Sequence, residues 1–509
     1  GESAHGLVAA TGVEIGDIYG GGGYEGGNAF AVNGFPAGYI GESVFFPGFE
    51  GTHVSITEFV DTEEFEPEDF RSTIVTTGDK AIGVLALSYG GEQAVAGNFY
   101  GTITTGRMDE YGNSLSGDYA YGVAAFAWSE GGDAAAMNKY NAHVTTHGNY
   151  AHGLIARADG EAMAFNWLSS TVTTYGNYAH GVAAFSEVGD VHVANKYDSS
   201  IVTHGDGAHG LVAESGDVVW DDHLYQYVFV GGDVDAFNIG SRIVTYGEDS
   251  FGIHASTNEG HVYVANVTVP DEESEDEDAV FEALIETFGE ESHAIYANAG
   301  EGTTYVLNAG VLITHGEDSY GISAHGDTTT VVNSGTIYTY GEDSHGIYAT
   351  SESILTTNVT NSGIIKVMGE ESDGIRASGP TVNITNTEDG EIYSYDSDGI
   401  YVSYAESVTV INRGTISYAG ADGIDVNESS EVVIKNYGSI TAEESGIEAS
   451  EGTEALVYNY GTITGRIDIT EFTDAYFLND EDASVIVVAE NNDEDGGVFV
   501  EAYDSVEVV

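Results

Sequence analysis

Residues 146–156 read THGNYAHGLIA, and this stretch decides the fold because close copies of it recur along the chain. The copies are residues 174–184 (TYGNYAHGVAA), 203–213 (THGDGAHGLVA), 245–255 (TYGEDSFGIHA), 314–324 (THGEDSYGISA) and 339–349 (TYGEDSHGIYA). Self-similarity of this kind is the signature of repeat architectures. The sequence therefore predicts a stack of similar units, each of which buries its apolar face against its neighbours.

An asparagine follows each copy at a similar distance and sets the length of the unit. These anchors are Asn98, Asn138, Asn166, Asn195, Asn238, Asn266, Asn308, Asn333, Asn361, Asn386, Asn412, Asn436 and Asn459. The base spacing is 23–29 residues, and three steps of 40, 43 and 42 residues carry insertions. Because asparagines one coil apart can bond one another and the turn backbone, we expect them to form a buried ladder.

Within each unit, apolar residues alternate with polar ones, as in Ile337-Tyr338-Thr339-Tyr340. Short alternating runs broken by Gly, Asp, Ser and Asn are typical of β-strands. The predicted fold is therefore all-β, a parallel β-helix of about 13–14 coils with loop insertions. We divide the chain into a partial first coil with a Gly- and aromatic-rich insertion (1–70), the solenoid (71–470) and C-terminal strands that form a cap or an assembly segment (471–509). Two further insertions are predicted at 217–237 and 268–284.

Composition excludes several classes of protein. The chain has 12 Lys+Arg against 84 Asp+Glu, a formal net charge of −72, and no cysteine. Such a charge opposes nucleic acid and anionic membrane surfaces, which need a basic footprint. Without cysteine there is no disulfide, thiolate metal site or c-type haem attachment. The missing cysteines also mean that no haem is expected, and no phosphate-binding loop occurs, so no nucleotide cofactor is expected. No apolar run is long enough for membrane insertion.

Units such as Asn333-Ser334-Gly335-Thr336-Ile337 resemble the repeats of autotransporter passenger domains and related bacterial surface adhesins. The resemblance covers about residues 71–470 and concerns the grammar of the repeat. It implies a secreted, surface-displayed β-helix with an adhesive or structural role. The C-terminal membrane barrel and the export signal of that family are not found in this sequence, so we expect either that they have been removed or that export uses another route. It opens inside a coil without a methionine, so we expect a mature or excised chain.

Paired acidic residues occupy the same turn in successive repeats and form the predicted metal site. They are Glu248, Asp249, Glu290, Glu291, Glu317, Asp318, Glu342, Asp343, Glu370 and Glu371. We expect them to stack along one edge, where carboxylates about 5 Å apart repel unless they are screened or bridged. Ca²⁺ prefers many oxygen ligands and suits such an edge. The alternative is a solvated edge that blocks aggregation.

Two columns of rings and one of threonines accompany this turn. The first ring column is His147, Tyr175, His204, Tyr246, Phe288, His315 and Tyr340; the second is His152, His180, His209, Phe251, His293, Tyr320 and His345. We interpret both as outward-facing stacks that stabilise the coil, with sugar binding, metal capture or a pH response as alternatives. The threonines that precede the first column share the parity of the core, so we expect them inside, with hydroxyls bonded to one another. A buried threonine column argues against ice binding.

These features favour an extracellular structural β-solenoid of a prokaryotic cell surface that assembles head to tail into a filament or sheath. The first alternative is a monomeric adhesin that binds a surface glycan or protein receptor through its insertions. The second is a polysaccharide-active enzyme, which needs acids and a basic residue in one cleft. The seven arginines are scattered, so we predict no catalytic residue and no enzyme activity.

Overall fold

The computed structural model describes residues 7–11, 29–33, 72–89, 93–108, 114–221, 226–271, 274, 276, 278–352, 355–486 and 497–509. Most of the predicted insertion at 13–70 lies outside these residues. The described segments form strands and no helix, so none of them contains a helix that could cross a membrane. One sheet system of 40 strands, paired in parallel from coil to coil, makes up the body, and the predicted parallel β-helix is confirmed.

Three stacks of strands form the three faces of the coil. The first face, before the acidic turn, contains β3 (Thr73–Thr76), β6 (Thr102–Thr105), β11 (His143–Thr146), β14 (Thr171–Thr174), β17 (Ser200–Thr203), β22 (Arg242–Thr245), β27 (Leu284–Thr287), β29 (Val311–Thr314), β31 (Thr336–Thr339), β34 (Ile364–Val367), β37 (Glu391–Ser394), β40 (Thr415–Ala419) and β45 (Ser484–Ile486).

The second face follows the acidic turn. Its strands are β1 (Leu7–Thr11), β4 (Val84–Ser88), β9 (Val123–Ala127), β12 (Leu154–Ala158), β15 (Val182–Ser186), β18 (Leu211–Ser215), β23 (Ile253–Glu259), β32 (Ile347–Ser351), β35 (Ile375–Ser378), β38 (Ile400–Ser403) and β41 (Ile424–Asn427).

The third face runs to the anchor asparagine of each coil. Its strands are β2 (Ala29–Asn33), β5 (Gln93–Phe99), β10 (Asp133–Lys139), β13 (Ala162–Trp167), β16 (Val191–Lys196), β21 (Val234–Ile239), β24 (Val262–Val267), β33 (Thr356–Asn361), β36 (Thr381–Asn386), β39 (Ser407–Asn412) and β42 (Glu431–Asn436). Five longer strands turn a corner and serve more than one face: β28 (Ile295–Ala309), β30 (Ile322–Asn333), β43 (Ser439–Asn459), β44 (Thr462–Asn479) and β46 (Val498–Val508).

Insertions leave the coil as antiparallel hairpins at three different corners. They are β7 (Arg107–Met108) with β8 (Ser114–Ser116), β19 (Asp217–Asp221) with β20 (Gln226–Val230), and β25 (Val269–Pro270) with β26 (Val280–Phe281). Coil register survives each one, as in the pairing of Asn195 with Asn238 across the β19–β20 hairpin. Insertions of this length therefore leave the stacking intact.

The asparagine ladder runs the whole described length. Each Nδ2 donates to the Oδ1 of the asparagine in the following coil at 2.7–3.0 Å. The ladder begins one coil earlier and ends one coil later than the predicted anchors, at Asn33 and Asn479. Their steps of 65 and 20 residues fall outside the repeat period, which is why the sequence pattern missed them. Parallel pairing likewise continues beyond residue 470, where β46 pairs with β44.

The main core is a column of mostly small and β-branched side chains, accompanied by two smaller hydrophobic clusters that contain Met163 and Ile155. Alanines such as Ala156 and Ala184 fill the N-terminal coils, and isoleucines and valines such as Ile347 and Val359 fill the later ones. The threonines before the acidic turn are buried as predicted, but the predicted bonding among their hydroxyls is wrong. Thr146 Oγ1 donates to the carbonyl oxygen of Ala151 in its own coil at 2.5 Å, and Thr245 Oγ1 donates to that of Ser250 at 2.6 Å. The strand turns back toward the column within five residues, so this carbonyl lies in closer reach than the next threonine.

Candidate functional site: the acidic turn and the columns beside it

The acidic turn joins the first face to the second and has one conformation in five successive coils. Its second acidic residue is left-handed, with φ of 51–53° at Asp249, Glu291, Asp318, Asp343 and Glu371. In four of these coils, the amide of that residue donates to the carbonyl oxygen of the first acidic residue in the next coil, as between Asp343 and Glu370 at 3.1 Å. The ten predicted acidic residues are therefore placed along one edge, and all are exposed.

A buried serine after each acidic pair holds the turn. Ser250, Ser292, Ser319, Ser344 and Ser372 are fully buried. Each hydroxyl donates to backbone carbonyl oxygens, and four of the hydroxyls also accept the amide of the preceding coil's serine, as from Ser319 to Ser344 at 2.9 Å. Because these bonds satisfy the turn backbone, the acidic side chains are free to face solvent.

Electrostatic repulsion acts along this edge. The pKa of Glu342 is raised, mainly by slight desolvation and secondly by the neighbouring carboxylates of Glu317 and Glu370. In the described part of the chain none of the ten residues forms an ion pair with Lys, Arg or His. Across all the residues that the structure describes, no three or more His, Asp or Glu side chains are grouped so that they could hold a metal ion. Calcium binding at this edge stays a prediction.

The first ring column lies beside the acidic edge as a continuous stack. Centroid distances between neighbours from His147 to Tyr340 are 4.5–5.2 Å, and the planes are tilted by 28° or less. A ring stacked on both sides has its faces covered by its neighbours and offers only its edge to solvent. This geometry agrees with the stacking interpretation, and it leaves the five inner rings of the column with no open face for a sugar to pack on.

The second ring column is more buried, and its histidines accept backbone hydrogen bonds that the sequence did not reveal. Its histidines use Nδ1 to accept the backbone amide of the next coil, as His152 does from His180 at 3.1 Å and His345 does from Asp373 at 3.0 Å. His180, His209 and His293 do the same at 3.0–3.2 Å. A ring nitrogen accepts a hydrogen bond only when the imidazole is neutral. Burial favours that form, and it lowers the pKa of His152, His293 and His345 to about 3.

Aspartates take over the same position in the later coils. Asp373, Asp398 and Asp422 each accept the amide of the residue one coil on, at 3.3, 2.9 and 2.6 Å. We call the eight residues that do so the acceptor column: His152, His180, His209, His293, His345, Asp373, Asp398 and Asp422. Seven of the eight immediately precede a glycine in the repeat, and His293 precedes Ala294; the sequence offers this signal, but the change of residue type conceals it.

The aspartates of the acceptor column lie within a cluster of buried carboxyl groups. Burial first, and then Asp373, raise the pKa of Asp398 to about 8. Burial also raises the pKa of Asp425 to about 8 and that of Asp422 to about 7. Arg376 is the cation at this cluster among the described residues, with Nη1 3.4 Å from Oδ2 of Asp373. Oδ1 of Asp425 is buried without a hydrogen-bond partner. The cluster therefore favours protonated carboxyl groups near neutral pH.

Comparison with known proteins supports the surface-protein resemblance. Residues 231–356 match the family model described as the BigA third pectate lyase-like domain, and BigA is a surface adhesin of autotransporter-like type. No curated protein and no solved structure matches the chain. The match spans the strands from β21 to β32 and includes the β25–β26 hairpin. The resemblance of these repeats to those of bacterial surface adhesin β-helices is thereby confirmed.

Proposed function

We propose that this protein is an extracellular structural β-solenoid of a bacterial cell surface and that its rods join head to tail into a filament or sheath. The match to a domain of a surface adhesin supports the extracellular placement. The net charge of −72 makes nucleic acid and anionic membranes poor partners, so the chain itself is the first candidate partner.

The direction of the asparagine ladder carries the proposal. Every Nδ2 donates toward the C-terminal end, and each orientation is fixed where Nδ2 also donates to a turn carbonyl, as Asn98 does to Gly101 at 2.9 Å. One end of the ladder therefore has a donor, Nδ2 of Asn479, which has one N–H left beside its 3.5 Å contact with the carbonyl oxygen of Ala483. The other end has an acceptor, Oδ1 of Asn33, which has one lone pair left beside the hydrogen bond from Ser72 Oγ at 2.8 Å. A donor end fits an acceptor end, so the ladder can continue head to tail and not head to head. Repetition of a head-to-tail contact gives an open filament.

The strands at the two ends support the same contact. Within the described residues, β46 pairs only with β44, and β1 pairs only with β4. Unpaired parallel edges are templates for another strand. Phe499 on β46 is 54% exposed, and Val508 on the same strand is 55% exposed. These side chains supply apolar area beside the open edge.

Electron microscopy and light scattering of the 509-residue chain test the proposal. We expect filaments from the unaltered chain and isolated rods from Phe499→Asp. The matched control is Phe229→Asp, since Phe229 on the β19–β20 hairpin is 53% exposed and lies away from both ends. Isolated rods from the unaltered chain at all concentrations would overturn head-to-tail assembly.

We also propose that the acidic edge binds Ca²⁺. The observation in support is the stacking of exposed carboxylates on successive coils, where no described Lys, Arg or His forms an ion pair with them. Calorimetric titration with Ca²⁺ should give saturable binding that weakens in a variant with Glu317→Gln, Asp318→Asn, Glu342→Gln and Asp343→Asn. Equal binding by both proteins would identify the edge as a solvated surface.

A second candidate is a monomeric adhesin that binds a surface glycan or a protein receptor. The match to a surface adhesin domain favours it. Because the three hairpins leave at different corners, each would present a separate surface and no composite binding face. Isolated rods that bind intact cells would favour this candidate. We expect no catalytic activity in either case, and cleavage of polysaccharide by the purified chain would contradict that expectation.

A further inference from the structure

A polar cleft lies on the outer surface of the second face, where the β19–β20 hairpin begins. Its floor is an outward column from four neighbouring strands, in which Arg157, Phe185, Glu214 and Ser256 are paired coil to coil. The cleft encloses about 450 Å³. Binding sites for small molecules have volumes of this size.

The hairpin and the preceding turns form the walls. Gly216 has a φ of 127° and turns the chain out of β18 into the hairpin. A Cβ at this position would lie 2.6 Å from the carbonyl oxygen of Val230, which closes the hairpin base. On the next coil, Asn258 Nδ2 lies 3.5 Å from the carbonyl oxygen of Asp217. This side-chain contact, together with the hydrogen bond from the amide of Gly216 to the carbonyl oxygen of Ser186 at 3.1 Å, holds the wall against the floor.

Several charged side chains in the cleft form only weak interactions with other protein groups. Arg157 and Glu187 approach each other only to 4.0 Å, and their side chains are 50% and 46% exposed. Glu214 lies 3.8 Å from Nε2 of His254, whose own pKa burial lowers to about 4, so at neutral pH the contact is no ion pair. Partial burial raises the pKa of Glu214. A guanidinium and two carboxyl groups are therefore available to a ligand.

An aromatic ring lies between these charged groups. Phe185 is half-buried and sits one coil from Arg157 and one coil from Glu214, so the two charged side chains flank it about 10 Å apart. Unlike the rings of the two stacked columns, it is not sandwiched between rings of the adjacent coils, where an arginine and a glutamate stand. Trp128, 46% exposed, borders the same site through its contact with Arg157 at 5.7 Å.

The chemistry of this cleft selects a class of ligand. An aromatic ring with planar donors and acceptors on both sides suits a pyranose, whose C–H face packs on the ring while its hydroxyls bond to carboxylate, guanidinium and carboxamide groups. Glu187, Glu214 and Asp217 outnumber Arg157, and the whole chain carries −72, so acidic sugars are disfavoured. We propose that this cleft binds a neutral hexose or N-acetylhexosamine unit of a glycan. The site is complete within one rod and does not depend on filament formation.

Saturation-transfer NMR and calorimetry on the full chain test the proposal, with maltotriose, cellotriose, N,N′,N″-triacetylchitotriose and polygalacturonate as probes. We expect at least one neutral trisaccharide to bind with a Kd of about 1 mM, and polygalacturonate to bind more weakly. Arg157→Gln and Glu214→Gln should each weaken binding about tenfold. The matched controls Arg413→Gln and Glu406→Gln change the same residue types on other coils and should bind as the unaltered chain does.

Three results would overturn the proposal. They are no saturable binding by any neutral probe, equal binding by the cleft variants and their controls, and stronger binding of polygalacturonate. Thermal unfolding followed by circular dichroism verifies that the cleft variants are folded. Filament formation is scored separately by electron microscopy, so a failure of head-to-tail assembly and a failure of sugar binding give different results.

Discussion

Replacing Asp398 by asparagine tests the acceptor column. Asparagine keeps an oxygen that can accept the backbone N–H of the next coil, and it removes the charge. In the protein, Oδ1 of Asp398 accepts the amide of Asp422 at 2.9 Å, and its side chain is 8% exposed. The asparagine Oδ1 can accept the same hydrogen bond. Any change in stability therefore reports the cost of ionising a carboxyl group in this place.

The magnitude follows from the pKa of Asp398, which burial first and Asp373 next raise from 3.8 to about 8. A carboxyl group with a raised pKa favours the folded state most below its unfolded pKa and loses that contribution as pH rises to the folded value. A shift of about four pH units corresponds to about 6 kcal/mol at 1.36 kcal/mol per unit. Because Asp373, Asp422 and Asp425 share the repulsion, about 6 kcal/mol is the ceiling for one site.

Urea unfolding at pH 5, 7 and 8.5, followed by circular dichroism, measures this effect. The unaltered chain should lose stability from pH 5 to pH 8.5, and Asp398→Asn should flatten the curve and be more stable by several kcal/mol at pH 8.5. The exposed residue Asp389 provides the control Asp389→Asn, which changes net charge equally and should follow the unaltered chain. If Asp398→Asn shows the same change of stability with pH as the unaltered chain, the buried carboxyl group does not govern the pH response.

Three further substitutions or conditions test other columns. Gly341→Ala places a Cβ 1.8 Å from the carbonyl oxygen of Gly316. We therefore expect the free energy of unfolding in urea to fall by more than about 3 kcal/mol. A fall of less than about 1 kcal/mol would show that the coils can separate at this turn. Asn333→Ala removes two buried ladder hydrogen bonds and leaves Nδ2 of Asn308 without its acceptor, while Oδ1 of Asn361 keeps the amide of Gly363; it should cost about 2–4 kcal/mol, whereas the half-buried control Asn383→Ala should cost about 1 kcal/mol or less. Burial lowers the pKa of His345 to about 3, so its stabilising contribution is present above about pH 6.5 and is lost as pH falls toward 3. Hydrogen exchange should therefore speed up around His345 between pH 6.5 and pH 4 after correction for intrinsic rates, and unchanged protection would contradict a neutral imidazole there.

The sequence predicted the architecture because each unit repeats both its spacing and its alternation. The burial of Thr339 and Ile347 follows from parity alone, and the asparagine ladder follows from one residue per coil. The alternation of residues along a strand tells which side chains point inward, but it does not tell which group a side chain bonds to. This explains the wrong assignment of hydrogen-bond partners to the threonine hydroxyls. The sequence position of Asn33, 65 residues before its ladder neighbour, carried no period to recognise.

The acceptor column was missed for a different reason. Its members share a geometric task, to accept an amide from the next coil, but they belong to two chemical types, His and Asp. Grouping residues by chemistry separated His345 from Asp373, although both precede a glycine. The cleft at Arg157 and Glu214 was equally hidden, since its residues come from separate coils and its wall from an insertion. The predicted insertion at 13–70 lies largely outside the described residues.

The stacking of coils also determines how the rod responds to a pulling force. Hydrogen bonds between coils run along the rod axis, so tension on the axis separates one coil from the next in sequence. Each coil adds only about 4.8 Å to the rod when folded, but a released coil of 25 residues, such as that from Asn308 to Asn333, extends to about 85 Å. Under an axial pull, a rod built in this way therefore lengthens in steps and absorbs work at each one, while the coils that remain folded keep their register.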